Sequence, residues 1–204
     1  MIVAVDGVAA SGKGTLARQI AAHYQLPYLD TGLLYRAVGR KMLDAGADLG
    51  DRGAAIALAR DFAPGWLIDG RLRGNEASVA ASRIAGIAEV RAHLRDFQQN
   101  FARQPGGAVL DGRDIGTVIA PEAEVKLWVT AAAGVRAHRR WLELKDRRPD
   151  LAEATILAEL NERDGRDAPN MTRAPDAHLL DTSEMSIEQA FRAALSVIEA
   201  ARKQ

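Results

Sequence analysis

Nine residues near the start, Gly7-Val8-Ala9-Ala10-Ser11-Gly12-Lys13-Gly14-Thr15, set glycines, a lysine and a hydroxyl at a spacing suited to gripping phosphates. Glycine at either end lets the backbone wrap an anion with its N–H groups, and Lys13 can reach the outer phosphates. The chemistry needs a helix start, with unpaired N–H groups and a positive dipole end, delivered by a strand. The apolar run Ile2-Val3-Ala4-Val5 predicts that strand, and the stretch from Lys13 to Tyr24 predicts the helix. That context separates the string from a chance match, and all nine residues are expected to hold a nucleoside triphosphate. Gly14 stands where Ser or Thr usually follows the lysine, so the hydroxyl expected to meet magnesium comes one residue later, at Thr15.

Two further clusters carry chemistry. Asp111-Gly112-Arg113-Asp114 closes the apolar run Ala108-Val109-Leu110. An acid directly after a buried strand is placed to hold magnesium, often through water, which makes Asp111 the second candidate metal ligand. A self-stabilised Asp-Gly turn would account for Asp111, but not for an arginine and two acids together. Asp30-Thr31-Gly32-Leu33-Leu34-Tyr35-Arg36 places a helix N-terminus, a hydroxyl, an aromatic ring and an arginine at one strand end. A capped surface helix with a core Tyr35 and a solvated Arg36 reads the same string equally well. Arg91 and Arg95 fall off the apolar stripe Val90, Leu94, Phe97, Phe101. Further guanidinium groups stand at Arg136, Arg139, Arg140, Arg163 and Arg166; such faces are commonly just solvated, yet transferred phosphates need cations that close over them. His138 has no second histidine or acid cluster beside it and reads as a surface residue.

The elements that must position these residues follow from periodicity. Short apolar runs at Ile2–Val5, Pro27–Asp30, Ala108–Leu110, Val125–Val129 and His178–Asp181 alternate with helical patterns. They predict an α/β three-layer fold over residues 1–204, a single domain with a parallel sheet of about five strands flanked by helices and its sites at the carboxyl strand ends. Asp51 to Phe62 and Leu151 to Arg163 predict helices, and Trp66 to Arg73 predicts two short strands around the Asp69-Gly70 turn. Arg163-Asp164-Gly165-Arg166-Asp167 and the run to Pro175 predict a mobile covering loop. Ser186 and Gln189 predict a capping box for a last helix with Ile187, Ala190, Phe191, Ala194, Leu195 and Ile198 on one face.

Composition narrows the partners. With 27 basic and 27 acidic side chains there is no net field to draw nucleic acid or membrane, so small phosphorylated ligands fit better. The absence of cysteine excludes disulfides, thiolate nucleophiles and cysteine-bound zinc. No apolar run nears membrane-spanning length and no basic-then-apolar leader precedes the first strand, so a cytoplasmic location is expected.

The Gly-Lys-Gly-Thr spelling resembles the nucleoside monophosphate kinases. With Asp30-Thr31-Gly32, Tyr35-Arg36 and Asp111-Gly112-Arg113-Asp114-Ile115-Gly116-Thr117, the chain resembles the bacterial cytidylate kinase family over essentially its whole length. Arg136-Ala137-His138-Arg139-Arg140, Glu162-Arg163-Asp164 and Asp181-Thr182 add weaker support. The resemblance implies transfer of the γ-phosphate of ATP to CMP or dCMP with magnesium. It implies catalytic roles for Lys13, Arg113, Arg139 and Arg163, and substrate binding by Thr31, Tyr35, Arg36, Ser82, Arg91, Arg113, Asp114, Arg163 and Asp167. Of these, Thr31, Ser82, Arg91 and Asp114 would surround cytosine, Arg36 and Arg113 the acceptor phosphate, and Arg163 and Asp167 the sugar. Such an assignment is chemically sensible: cytosine offers an amino donor beside acceptors, which a carboxylate and a guanidinium read together. It also implies an acceptor-binding excursion over residues 36–95, a lid over residues 140–175 and a monomer serving small nucleotides. The stretch from Ala59 to Asn75 is shorter than the family's usual insert, and Asn170 stands where the family carries an arginine. Arg173 is the nearest guanidinium in that loop, either a replacement or a solvated side chain. A P-loop kinase for another nucleotide or metabolite is the runner-up. A nucleotide switch is disfavoured, since neither N-K-x-D nor D-x-x-G occurs.

Overall fold

The computed structural model describes residues 1–146 and 148–203. Close contacts group the chain into two compact units, Met1–Leu29 with Ala102–Gln204, and Asp30–Phe101.

The first unit is built on a five-stranded sheet. Its strands are β1 (Ile2–Gly7), β2 (Tyr28–Asp30), β3 (Ala108–Gly112), β4 (Val125–Thr130) and β5 (His178–Asp181), in the order β2-β3-β1-β4-β5. The β1–β3, β1–β4 and β4–β5 ladders are all parallel, as predicted. Central β1 and β3 are apolar because helices cover both faces of a parallel sheet. Val3, Val5, Val109, Leu127 and Val129 share one core with Leu16, Ala17 and Ile20 of α1 (Lys13–Tyr24) and Ala194 and Ile198 of α8 (Ile187–Ala201). The capping box of α8 is formed: Gln189 N donates to Ser186 Oγ at 3.1 Å, and Ser186 N donates to Gln189 Oε1 at 2.8 Å. Ile187 is 64% exposed, so the buried face of α8 begins at Ala190. A second core joins Ala137 of α6 (Ala133–Leu144) to Ile156 and Leu160 of α7 (Glu153–Asp167), with Ala9 and Leu151.

The second unit runs through α2 (Gly32–Asp44), α3 (Arg52–Arg60), α4 (Asn75–Ile84) and most of α5 (Ala88–Ala102). Leu34, Val38, Met42, Ala55, Ala59, Ile84, Val90 and Leu94 form its core.

Two expectations are corrected here. Trp66 to Arg73 is not a hairpin: it forms two 3₁₀ turns, Pro64–Ile68 and Gly70–Arg73. Asp69 Oδ1 accepts from Arg71 N at 2.9 Å, and the Arg71 guanidinium pairs with both Asp69 and Asp44, so side chains tie this stretch where a ladder would otherwise be required. Residues 163–167 are not a loop either, because α7 continues through Asp167 before a 3₁₀ turn at Ala168–Asn170. Arg163 with Asp167, and Arg166 with Glu162, are ion pairs one helical turn apart that fit the helix and no extended loop.

One buried polar link closes the first unit's sheet. Asp6, 5% exposed near the carboxyl end of β1, accepts from Ile115 N at 2.8 Å on Oδ1 and from Gly116 N at 2.8 Å on Oδ2. These amides open a single π turn, Ile115–Ile119, and Asp114 at its N-cap position makes no side-chain cap bond of its own. Burial pushes the Asp6 carboxyl up to about 6, the two amides pull it down, the nearby Asp114 raises it and Arg113 lowers it.

Two outcomes follow. Leu94→Ala removes a fully buried side chain and should lower unfolding stability by about 2–5 kcal/mol in denaturant titrations. Because the folded carboxyl of Asp6 titrates above its unfolded value of 3.8, its favourable contribution is complete below that value and is lost as pH rises through about 6. Wild type should therefore lose on the order of 3 kcal/mol relative to Asp6→Asn between pH 4 and pH 7. A flat difference across that range would contradict the environment described.

Candidate active site

The nine-residue loop leaves β1 through Gly7 at φ 148°, where a Cβ would lie 1.9 Å from Val129 O, so a side chain is excluded by the neighbouring strand. Ala10 adopts φ 58°, a left-handed conformation that costs energy for a residue with a Cβ and that must be held by its surroundings. Several loop carbonyls are taken by side chains. Lys13 Nζ donates to Val8 O at 3.3 Å and Arg136 Nη1 donates to Ala9 O at 3.1 Å. The Thr182 hydroxyl lies 3.1 Å from both Ser11 O and Thr130 O, sharing its one proton between them. Ser11 Oγ is buried and meets no hydrogen-bonding partner among the described residues.

Gly14 is explained by what faces it. A Cβ there would lie 2.8 Å from Asp111 Oδ2, so the serine or threonine of the general pattern would displace that carboxylate. Tyr28 OH donates to the same oxygen at 3.2 Å. Both candidate metal ligands, Thr15 and the buried Asp111, thus come to the first turn of α1. Among the described residues no group of three or more His, Cys, Asp or Glu could hold a metal alone.

The helical form of residues 163–167 brings three predicted side chains together. Arg113 Nε donates to Asp167 Oδ2 at 2.9 Å, and Arg163 Nε lies 3.8 Å from the same oxygen. One carboxylate between two guanidiniums keeps both oriented. Asp114 is buried next to Arg113.

Arg139 is held by the segment after β5. Its Nη2 donates to the carbonyls of Thr182 at 2.7 Å and Met185 at 3.2 Å, and Nη1 donates to Thr182 Oγ1, so it braces the turn after β5. His138 is exposed and pairs with Glu153 at 3.0 Å. Arg173 donates to Ala177 O through Nε at 3.1 Å and Nη2 at 2.7 Å, a contact within its own turn.

Thr31, Tyr35, Arg36, Ser82 and Arg91 all belong to the second unit. Thr31 is buried at the N-cap of α2, and Tyr35 packs partly against that unit's core. Arg36 Nη1 donates to Leu72 O at 3.1 Å, and Arg91 Nη1 to Ala85 O at 3.4 Å.

The sequence reading missed two supports. Asp6 was visible as an acid closing an apolar strand, a signal that it must find buried partners. Arg136 stood among basic neighbours, but it alone is buried: Nε donates to Ala131 O at 2.9 Å, Nη1 to Ala9 O, and Nη2 pairs with Asp164 at 2.8 Å. No local spacing distinguishes it from Arg139 or Arg140.

The sequence profile of the family described as cytidylate kinase matches residues 3–200. The chain is 52% identical over 206 residues to the cytidylate kinase of Rhodopseudomonas palustris, covering 99% of this chain and 97% of that one. It is 54% identical to the cytidylate kinase of Xanthobacter autotrophicus, covering 99% of both. A crystal structure of an uncharacterized protein from Eubacterium ventriosum shares the fold at 13% identity, with a TM-score of 0.59 over 100% of this chain and 99% of that one. With a phosphate loop between β1 and α1, an acid of β3 at the helix start and a profile match across nearly every residue, this chain belongs to the cytidylate kinase family.

Proposed function

We propose that this chain transfers the γ-phosphate of ATP to CMP or dCMP, releasing ADP and the corresponding diphosphate. The observation that carries the proposal is the loop Gly7–Thr15, braced between β1 and α1 in a member of the cytidylate kinase family. Ser11 Oγ, buried without a partner among the described residues, is a polar atom that a phosphate in the loop would satisfy. Lys13 would move from Val8 O to the transferred phosphoryl group, and the loop amides would hold the rest of the triphosphate. Thr15 and Asp111 would hold magnesium, which screens phosphate charge when bound. No side-chain nucleophile is needed: catalysis is alignment, charge screening and exclusion of water.

On the acceptor side, Arg36 and Arg113 are proposed for the phosphate, and Thr31, Ser82, Arg91 and Asp114 for the base. Tyr35 is proposed among the acceptor contacts, and Arg163 and Asp167 are proposed for the sugar, Arg163 also screening the transferred group. Arg139 is proposed as a further catalytic cation that screens the transferred phosphate, held where its guanidinium meets the segment after β5. The excursion over residues 36–95 would bind the acceptor and residues 140–175 would act as the lid. Balanced charge supports small nucleotides as partners of a monomer, with no nucleic acid. Among the described residues no helix is long and apolar enough to cross a membrane; a cytoplasmic location is proposed with the rest.

An ADP-release assay across CMP, dCMP, UMP, AMP and GMP should rank CMP and dCMP first; preference for a different acceptor would overturn the assignment. Lys13→Ala should lower kcat by about 10²–10³-fold with the melting temperature preserved, because the lysine serves the ligand and not the core. Gly14→Ser should raise the magnesium concentration giving half-maximal rate, since its side chain displaces Asp111. Asp114→Ala should raise KM for CMP far more than KM for ATP.

A further inference from the structure

Asp6 immediately precedes Gly7, so by chain position it belongs to the triphosphate side. Its contacts lie elsewhere. Both carboxylate oxygens are spent on consecutive amides, Ile115 N and Gly116 N, each at 2.8 Å and each more than a hundred residues away in sequence. These amides open the π turn that follows Arg113 and Asp114. Helix starts leave such amides unpaired, and the N-cap residue ordinarily satisfies them with its own side chain. Here the N-cap residue is Asp114, which makes no side-chain cap bond, and Asp6 performs that task from a neighbouring strand.

We propose that Asp6 is a positioning residue for the acceptor: by capping the π turn from β1 it fixes the backbone that carries Arg113 and Asp114. This rests on the reading that Asp114 contacts the acceptor. The bidentate geometry constrains the turn in two directions, because two parallel bonds from one carboxylate to adjacent amides fix both its distance and its tilt. The room around the turn is limited as well. A Cβ at Gly116 would lie 3.2 Å from the Lys126 side chain and 3.5 Å from Asp6 Oδ2, so the turn has little space to shift. The charged groups acting on the Asp6 carboxyl are Asp114 and Arg113, while Lys126, whose stem lies by Gly116, is paired with Asp176 at 2.7 Å. A buried acid held above its ordinary range costs stability at neutral pH. The carboxylate nevertheless offers one acceptor oxygen to each of the two amides, which a neutral amide side chain cannot do.

The test is steady-state kinetics of Asp6→Asn, in which one oxygen still accepts an amide and an NH₂ group faces the other. KM for CMP should rise about tenfold, the usual scale for a residue acting through another, and preference for CMP over UMP should fall by a similar factor. KM for ATP should stay within about twofold, and the melting temperature at pH 8 should equal or exceed that of wild type. Asp6→Glu, which retains the charge but lengthens the arm, should show the same split more weakly. In wild-type protein the Ile115 and Gly116 amides should exchange slowly with solvent, a measurement that needs no variant to fold. Equal damage to ATP and CMP would overturn the proposal by showing that Asp6 acts through Gly7, and unchanged kinetics or fast amide exchange would overturn it outright. If Asp114→Ala also leaves KM for CMP unchanged, the acceptor reading itself fails. If Asp114→Ala raises it while Asp6→Asn does not, only the positioning role fails.

Discussion

Arg136 is the contact on which the phosphate loop most depends. Its guanidinium is buried, and each of its donor nitrogens has a partner on a different segment: Ala131 before α6, Ala9 in the loop and Asp164 on α7. A buried cation is tolerable only when fully paired, so the three segments are held in one arrangement or the fold bears an uncompensated charge. The loop needs such a hold. Ala10 sits in a left-handed conformation that its own side chain disfavours, and glycine-flanked backbone has more freedom to lose than most. Taking up the Ala9 and Ser11 carbonyls from behind is how the protein keeps that strained path.

What was legible in the sequence is what local chemistry decides. The strand, loop and first helix, the acids and arginine after β3, and the capping box at Ser186 all depend on neighbours a few residues away. What was not legible depends on distant partners. The Asp-Gly signal at Asp69-Gly70 did mark a turn, but a hairpin also needs a ladder, and here Asp69 and Asp44 captured Arg71 instead. Gly165 within a run of charges suggested a loop because glycine lowers helix propensity. The pairs Arg163 with Asp167 and Arg136 with Asp164 outweigh that preference, and the helix continues. Within the candidate site the residue types were readable, whereas the partner each side chain meets was not. Arg139 and Arg163 look alike in sequence, yet one is consumed by carbonyls of the β5–α8 turn and the other shares a carboxylate with Arg113.

Stability and placement pull apart at two positions. Asp6 keeps a carboxylate where burial disfavours it, and Gly14 gives up helix propensity in the first turn of α1 so that Asp111 can approach. Local rules broken beside a ligand-binding loop are the usual mark of a site that places groups at some expense to the fold.

The Thr182 hydroxyl reaches Ser11 across 171 residues of sequence, and Arg136 reaches Ala9 across 127. A loop encoded in the first fifteen residues is therefore finished by α6 and by the residue that follows the last strand. During synthesis the N-terminal segment emerges long before these braces exist, so the loop should take its final path late, with the docking of β5. Long-range closure of this kind slows folding. It also means that any ligand held by the finished loop would favour the whole sheet, from its first strand to its last, rather than a local turn.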